Sequence, residues 1–481
     1  MGTTLSEAGP QAVDVAEIVY HGEKMVLPEG MDIDKAMKLL ERRKKYLTEE
    51  VNMSETFDVF PWDGAHALDA VLTRRYGWSP AEATPGFWGP TPPTLINIEV
   101  SPGKFKQVPW SAFSLPNVKG LVQCAVDKKD GRYVFKIVAN ILRKDQKAIS
   151  TLFDDVRAEL KVNSIYRGKA IKIRFRNDTA GMLNMPEPKF INTDDVDENM
   201  LVYPDSVQAA IETNLFTPIQ RIKDCIDNGI KVKRGVILGG TFGTGKTLTA
   251  KVASKFAVQA GVTYVYIPRA DELAQAVDFA KQYQSPACVI FCEDIDRALS
   301  GDRSVKMDDI LNIIDGIDTK SQNIITILTT NDIDAINPAM LRPGRLDAVI
   351  HVLPPDAKAV ERLIRAYGGG TVSADADLTG VGQALSGQIP AVIAEVVHRA
   401  KLAQLRRQQP GEKVTTLSAE SLLEAADTMA AQLRLLNRPK VEPVPAIETA
   451  LTALVSNALN GTKERIATMA EQVSQVHQEV C

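Results

Sequence analysis

The residues best placed to do chemistry together start at Gly240-Thr241-Phe242-Gly243-Thr244-Gly245-Lys246-Thr247, which fits G-x-x-x-x-G-K-[ST]. Glycines at this spacing let successive backbone N–H groups turn inward around a phosphate, and a helix starting there offers its positive end to the same anion. Lys246 can reach the β and γ oxygens of a nucleoside triphosphate and Thr247 can hold Mg2+, with Leu248 completing the set beside the nucleotide. Glu293-Asp294 follows the apolar run Cys288–Cys292. Carboxylates there, Glu293 first, can hold Mg2+ through water and orient or deprotonate a water that attacks a γ-phosphate. Thr329-Thr330-Asn331 ends another apolar run, and the Asn331 amide can sense that phosphate or position the water.

The elements around these groups follow from hydrophobic patterning. Val236–Leu238, Val262–Ile267, Ala287–Cys292, Ile324–Thr329 and Ala348–Leu353 are continuous apolar runs separated by helical segments. Such runs predict a parallel sheet covered on both faces, with ligands at the carboxyl ends of its strands. The glycine loop, the acidic pair and the Asn331 turn all begin at such ends. Cys288 and Cys292 face the same way within one strand and are read as core. The five cysteines lack paired metal spacing.

This ordered set, with Asn337-Pro338-Ala339-Met340-Leu341-Arg342-Pro343-Gly344-Arg345-Leu346-Asp347, strongly resembles the AAA ATPases that carry the second region of homology. The resemblance spans roughly residues 200 to 405. It implies ATP and Mg2+ as cofactors and an ATP hydrolase running to ADP and phosphate, with Asp294 in the catalytic role beside Glu293 and Asn331. Arg342 and Arg345 then correspond to arginine fingers that reach the γ-phosphate of a neighbouring subunit, which requires a homo-oligomeric ring, expected to be a hexamer. Ser386-Gly387-Gln388 falls where the family usually has Ser-Gly-Ala beside the adenine, so Gly387 and Gln388 are candidate nucleotide contacts. The acidic order Glu293-Asp294 reverses the family's usual Asp-Glu, and Thr241 and Phe242 replace prolines common in the turn. The stretch Ala270–Phe279 is too short for the usual aromatic-glycine pore loop. The Glu293-Asp294 order, the missing pore loop and Ile310–Gly316 together look more like the branch containing the mitochondrial complex III assembly ATPase, without its transmembrane helix.

The fold expected is α/β: a P-loop AAA core with a parallel sheet and an α-helical lid, preceded by an α+β domain and followed by a helical tail. The expected divisions are a flexible 1–17, a recognition domain 18–180, a linker 181–200, the large ATPase subdomain 201–355, the lid 356–438 and the tail 439–481. In the first domain, Ile18 to Leu27 reads as a hairpin. Ile33 to Leu47 and a segment capped by Asp63 and ended by Gly77 read as helices, as does Arg143 to Lys161. Leu95–Val100, Leu121–Val126 and Tyr133–Ile141 read as strands.

A hydrophobic share of 44% with 24% charged residues is that of a globular protein with real cores. The net charge of −4 gives no global attraction to nucleic acid or anionic membrane. No apolar run is long enough to span a bilayer, so membrane insertion is not expected and a cytoplasmic location is. Lys169, Lys172, Arg174 and Arg176, with Arg167, make the best nucleic-acid candidate, but only Tyr166 interleaves them, and a solvated strand face is the expected reading. The leading expectation is a chaperone-like ring ATPase that remodels, unfolds or assembles a protein client. A nucleic-acid transaction ATPase and a nucleotide-gated scaffold with weak turnover are the alternatives.

Overall fold

The computed structural model of the protein describes residues 15–20, 23–28, 33–83, 89–175, 185–295, 322–333 and 346–429. Strands β1 (Val15–Tyr20) and β2 (Glu23–Pro28) pair antiparallel with Tyr20 opposite Glu23, as predicted. Helix α1 (Ile33–Leu47) turns Ala36 and Leu40 inward and leaves its basic last turn in solvent. Next comes β3 (Glu50–Phe57), a strand without a predicted counterpart, because Asn52, Ser54 and Glu55 lack strand propensity.

Helix α2 (Pro61–Tyr76) starts two residues before the predicted cap, since proline at the first helical position is preset for the turn. Asp63 is therefore not the cap; it lies inside the first turn and is fully buried. Strand β4 (Ala81–Glu82) follows, then the hairpin of β5 (Leu95–Ser101) and β6 (Lys104–Pro109), then β7 (Ala112–Phe113), β8 (Gly120–Lys129) and β9 (Arg132–Leu142). A five-stranded antiparallel sheet in the order β3-β9-β8-β7-β4 results. One face is covered by α2 and α3 (Gln146–Asn163), where Ile149, Leu152, Phe153, Val156 and Leu160 are buried as their spacing predicts.

The second sheet is seven-stranded. Its first members are β10 (Ala170–Lys172) and β11 (Lys189–Phe190), from stretches read in the sequence as the end of the recognition domain and as linker. Ile171 and Ile173 point inward and Lys172 and Arg174 outward, a solvated basic face as expected, and the backbone of β10 pairs with β13 of this sheet. Three short helices, α4 (Asp205–Ile211), α5 (Thr217–Gln220) and α6 (Ile222–Asp227), lead to β12 (Arg234–Gly239). Then come α7 (Lys246–Gln259), β13 (Thr263–Ile267), α8 (Leu273–Gln282), β14 (Cys288–Cys292), β15 (Ile324–Thr330) and β16 (Ala348–His351). The order is β11-β10-β13-β14-β15-β12-β16, parallel except for the β10–β11 edge. Every residue of β14 and β15 is buried, which explains why these strands read as unbroken apolar runs.

Pro354-Pro355 closes this layer, and the Asp356 carboxylate accepts from Ala359 N at 2.8 Å to start α9 (Ala357–Gly368), a cap worth about 1 kcal/mol. With α10 (Thr379–Leu385), α11 (Pro390–Arg407) and α12 (Ala419–Thr428) it encloses a core of Leu378, Leu385, Val392, Ile393, Val396 and Val397, and Ile389, apolar in the same stretch of sequence, packs on it partly buried. The tail 439–481 lies outside the described residues.

The two sheets share one hydrophobic core. Phe60, at the start of α2, meets Phe279 of α8 with ring centroids 5.4 Å apart, and Tyr166 meets Tyr283 at 5.9 Å. The Tyr283 hydroxyl accepts from Phe60 N at 2.9 Å and donates to Asp63 Oδ2 at 3.2 Å. Ser164 Oγ and Ile165 N also donate to the Asp63 carboxylate, at 2.6 and 2.9 Å.

Burial pushes the Asp63 carboxyl up from its ordinary 3.8 to about 6, against those three hydrogen bonds. Between these two values the folded chain holds a proton that the unfolded chain has lost. The stabilisation is therefore complete below about pH 4 and is lost as pH rises through about 6. Asp63→Asn cannot titrate. The stability advantage of the wild type over that variant should shrink by about 3 kcal/mol between roughly pH 4 and 7.5 in urea unfolding. A difference independent of pH would show that Asp63 is not the titrating group.

Candidate nucleotide site

Strand register brings the predicted groups together. Gly239 stands opposite Thr330, and Leu328 opposite Cys292, so β12, β14 and β15 end along one edge of the parallel sheet. The chain leaves that edge at three places: the glycine loop, Glu293-Asp294 and Asn331. These places are also bonded to one another. Gly240 N donates to Thr330 O at 3.2 Å, Asp294 N to Thr329 Oγ1 at 3.0 Å, and Asn331 Nδ2 to Asp294 Oδ1 at 3.0 Å. Asp294 adopts φ 45°, a left-handed backbone that only a few non-glycine residue types accept readily, aspartate among them.

The loop is built for close approach. A Cβ on Gly240 would lie 2.3 Å from Val352 O, and Gly243 and Gly245 have φ of 77° and 100°. Thr244 and Lys246 are buried inside the loop. Thr244 Oγ1 donates to Thr241 O at 2.8 Å, and Lys246 Nζ donates to Gly240 O at 2.5 Å and Thr241 O at 2.9 Å. Thr247 is exposed at the first turn of α7, and Leu248 beside it is half-buried. Phe242 replaces a turn proline and is 66% exposed at the tip of the loop. A glycine-lined cradle, a lysine at its centre, an exposed threonine hydroxyl and carboxylates on the adjacent strand are the donor set that a nucleoside triphosphate with Mg2+ requires.

The lid closes one side. Gly387, at φ 79°, donates to Pro355 O at 2.9 Å, and Gln388 N donates to Leu385 O at 3.1 Å just before α11. The next residue, Ile389, reaches the loop: its Cδ1 would lie 2.9 Å from a Cβ on Gly243. Arg342 and Arg345 lie outside the described residues. Asp347 is joined to β12 through Gly235 N to Asp347 Oδ2 at 2.9 Å and Asp347 N to Gly235 O at 2.8 Å.

Two tyrosines at the site carry no motif. Tyr203 is buried against Gly245, its hydroxyl 2.7 Å from Thr249 Oγ1 in a hydrogen bond, and burial raises its pKa. The neighbouring carbonyl, Tyr203 O, accepts from Arg362 of α9 at 2.6 Å, so this one segment links the lid to the glycine loop. The Tyr266 hydroxyl donates to Glu293 Oε2 at 2.7 Å; burial and then this bond raise its pKa. Neither tyrosine stands at a recognisable spacing from the other site residues.

Two other predicted features are resolved. The basic row loses its stacking aromatic, because Tyr166 is buried in the shared core, and Arg167 is turned to the end of α3, donating to Lys161 O at 3.2 Å. Where a pore loop would stand, Ala270–Glu272 forms a single turn running into α8, whose Leu273, Ala276, Val277, Phe279 and Ala280 are buried.

The parallel order, the glycine loop after β12 and the carboxylates after β14 define a P-loop ATPase domain with a helical lid. Residues 236–353 match the model of the ATPase family associated with various cellular activities (AAA), so this region is an AAA domain and ATP with Mg2+ is its cofactor pair. The chain is 32% identical over 236 residues to the "ATP-dependent zinc metalloprotease FtsH" of Mycobacterium bovis, covering 44% of this chain and 30% of that protein. The protein of the same name from Mycobacterium tuberculosis (strain ATCC 25618 / H37Rv) gives the same figures. That of Ralstonia pickettii is 30% identical over 251 residues, 47% of this chain and 34% of the relative. The chain thus spans about a third of the length of the curated relatives it matches. The specific likeness to the complex III assembly branch is not among these findings. The pattern H-E-x-x-H does not occur in the sequence, and among the described residues no group of three or more His, Cys, Asp or Glu could hold a metal ion. No helix among the described residues is long and apolar enough to cross a membrane.

Tyr203→Phe removes a buried hydrogen bond while Thr249 Oγ1 keeps its bond to Gly245 O at 3.2 Å. We expect about 1 kcal/mol lower stability. ATP-analogue affinity should weaken by up to about tenfold in a fluorescence titration. Unchanged affinity would reduce Tyr203 to packing.

Proposed function

We propose that the chain is a ring-forming ATPase that couples ATP binding and hydrolysis to remodelling, unfolding or assembly of a protein client. The observation that carries this reading is the bond from Asn331 to Asp294 at the edge where the glycine loop opens. Bound ATP and Mg2+ supply the γ-phosphate and the charge that polarises it. Lys246 neutralises the phosphates, and Thr247 and Glu293 are the groups placed to hold the metal. Asp294 orients the attacking water and accepts its proton, and Asn331 keeps that carboxylate in one rotamer. In this reading Arg342 and Arg345 complete the site of the neighbouring subunit, most simply in a hexamer.

The work done on the client is a change of ring shape. The stretch that would have to grip a threaded polypeptide is instead a single turn and a helix with one face buried against the amino-terminal region. That region is the recognition module, and its shared core with α8 gives it a rigid path to the motor. The resemblance to the complex III assembly branch supports the same reading, for the motor and not for the task. An ATPase stimulated by single-stranded DNA, with salt-dependent DNA binding, would replace it with a nucleic-acid function.

Asp294→Asn should retain ATP binding and lose at least about 100-fold in turnover, judged against the typical contribution of a general base. Hydrolysis at the wild-type rate would remove Asp294 from the catalytic role. Arg345→Ala should cost about 1000-fold in assembled rings. An unchanged rate would reject the finger assignment.

A further inference from the structure

One line of contacts runs from the amino-terminal region to the metal-holding carboxylate. β10 leaves α3 and adds itself to the parallel sheet next to β13, with Lys172 opposite Tyr266. Ile173 N donates to Tyr266 O at 3.0 Å, which fixes the tyrosine's backbone from the β10 side. The Lys172 ammonium lies 5.2 Å from the centre of the Tyr266 ring. On the far side the ring stacks on Phe291 of β14, centroids 5.3 Å apart and planes at 23°. Held between the two, Tyr266 presents its hydroxyl to Glu293 Oε2 at 2.7 Å. A phenol that donates to a carboxylate occupies one of its lone pairs and sets its rotamer, so it competes with metal-bound water for the same oxygen.

We propose that Tyr266 is a positioning residue for Glu293, and that Lys172 makes its position depend on how the amino-terminal region is seated. A client that shifts this region moves β10, and the move reaches the metal site through one aromatic ring. The segment just after β10 has a second tie to the motor: Phe175 N donates to the buried Glu272 Oε2 at 3.1 Å, at the turn that starts α8. This relay rests on the reading of Glu293 as a metal-holding group.

The test measures ATP affinity of the full chain with Mg2+ and with EDTA, using a fluorescent ATP analogue, beside the turnover rate. Tyr266→Phe keeps the ring on Phe291 and removes only the donor. We expect the ratio of the two affinities to change by at least about threefold, with affinity in EDTA unaltered, as for loss of one charged hydrogen bond partly replaced by water. Lys172→Ala, at an exposed position, should move the ratio in the same direction and have no further effect in the Tyr266→Phe background. A Tyr266→Phe ratio equal to the wild type, or a Lys172→Ala effect that simply adds, overturns the relay while leaving the metal reading intact. A wild type whose affinity is the same in Mg2+ and EDTA overturns both. If Tyr266→Phe fails to fold, Lys172→Ala decides alone, and an unchanged ratio there overturns the relay.

Discussion

Every group of the nucleotide site hangs from one edge of a parallel sheet that is buried on both faces. Backbone hydrogen bonds fix where each strand stops relative to its neighbours, so the glycine loop, the acidic pair and Asn331 leave the sheet side by side. A shift of two residues in one ladder would move its group by about 6.5 Å and part Asn331 from Asp294. The loop depends on the same anchoring, since Gly240 is tied to Thr330 in front and pressed against Val352 behind.

The amino-terminal region is not an appendage to that sheet. It lends it a strand, β10, between β11 at the edge and β13, and fills the space beside α8 with Phe60, Tyr166 and the buried Asp63. A fully buried carboxyl among aromatic rings is costly to ionise, and its three hydrogen bonds offset only part of that cost. The contact therefore gives up stability at neutral pH.

The lid is held differently. Its core is separate, and among the described residues it meets the motor through Ile389 at Gly243, Gly387 at the Pro355 carbonyl, and Arg362 at the Tyr203 carbonyl and the Asp205 carboxylate. Two of these contacts, at Gly243 and at Tyr203, border the glycine loop.

The sequence by itself determined the AAA core, because its signals are local. Five unbroken apolar runs, a glycine loop between strand and helix, and acids at a strand end each follow from neighbouring residues, and the five strands appear within two residues of their expected ends. The lid face and the helix α3 were legible for the same reason. What only the tertiary structure decided depends on pairing between distant segments. Ala170–Lys172 reads identically whether it pairs with β9 or with β13, since alternation specifies a face and not a partner. Asp63 looked like a cap because a sequence shows the residue type and not what packs on it. Tyr203 and Tyr266 carry no motif; their hydroxyls matter because folding sets one against Thr249 and the other against Glu293. Chain chemistry chose the site, and the ladders and the shared core chose its neighbours.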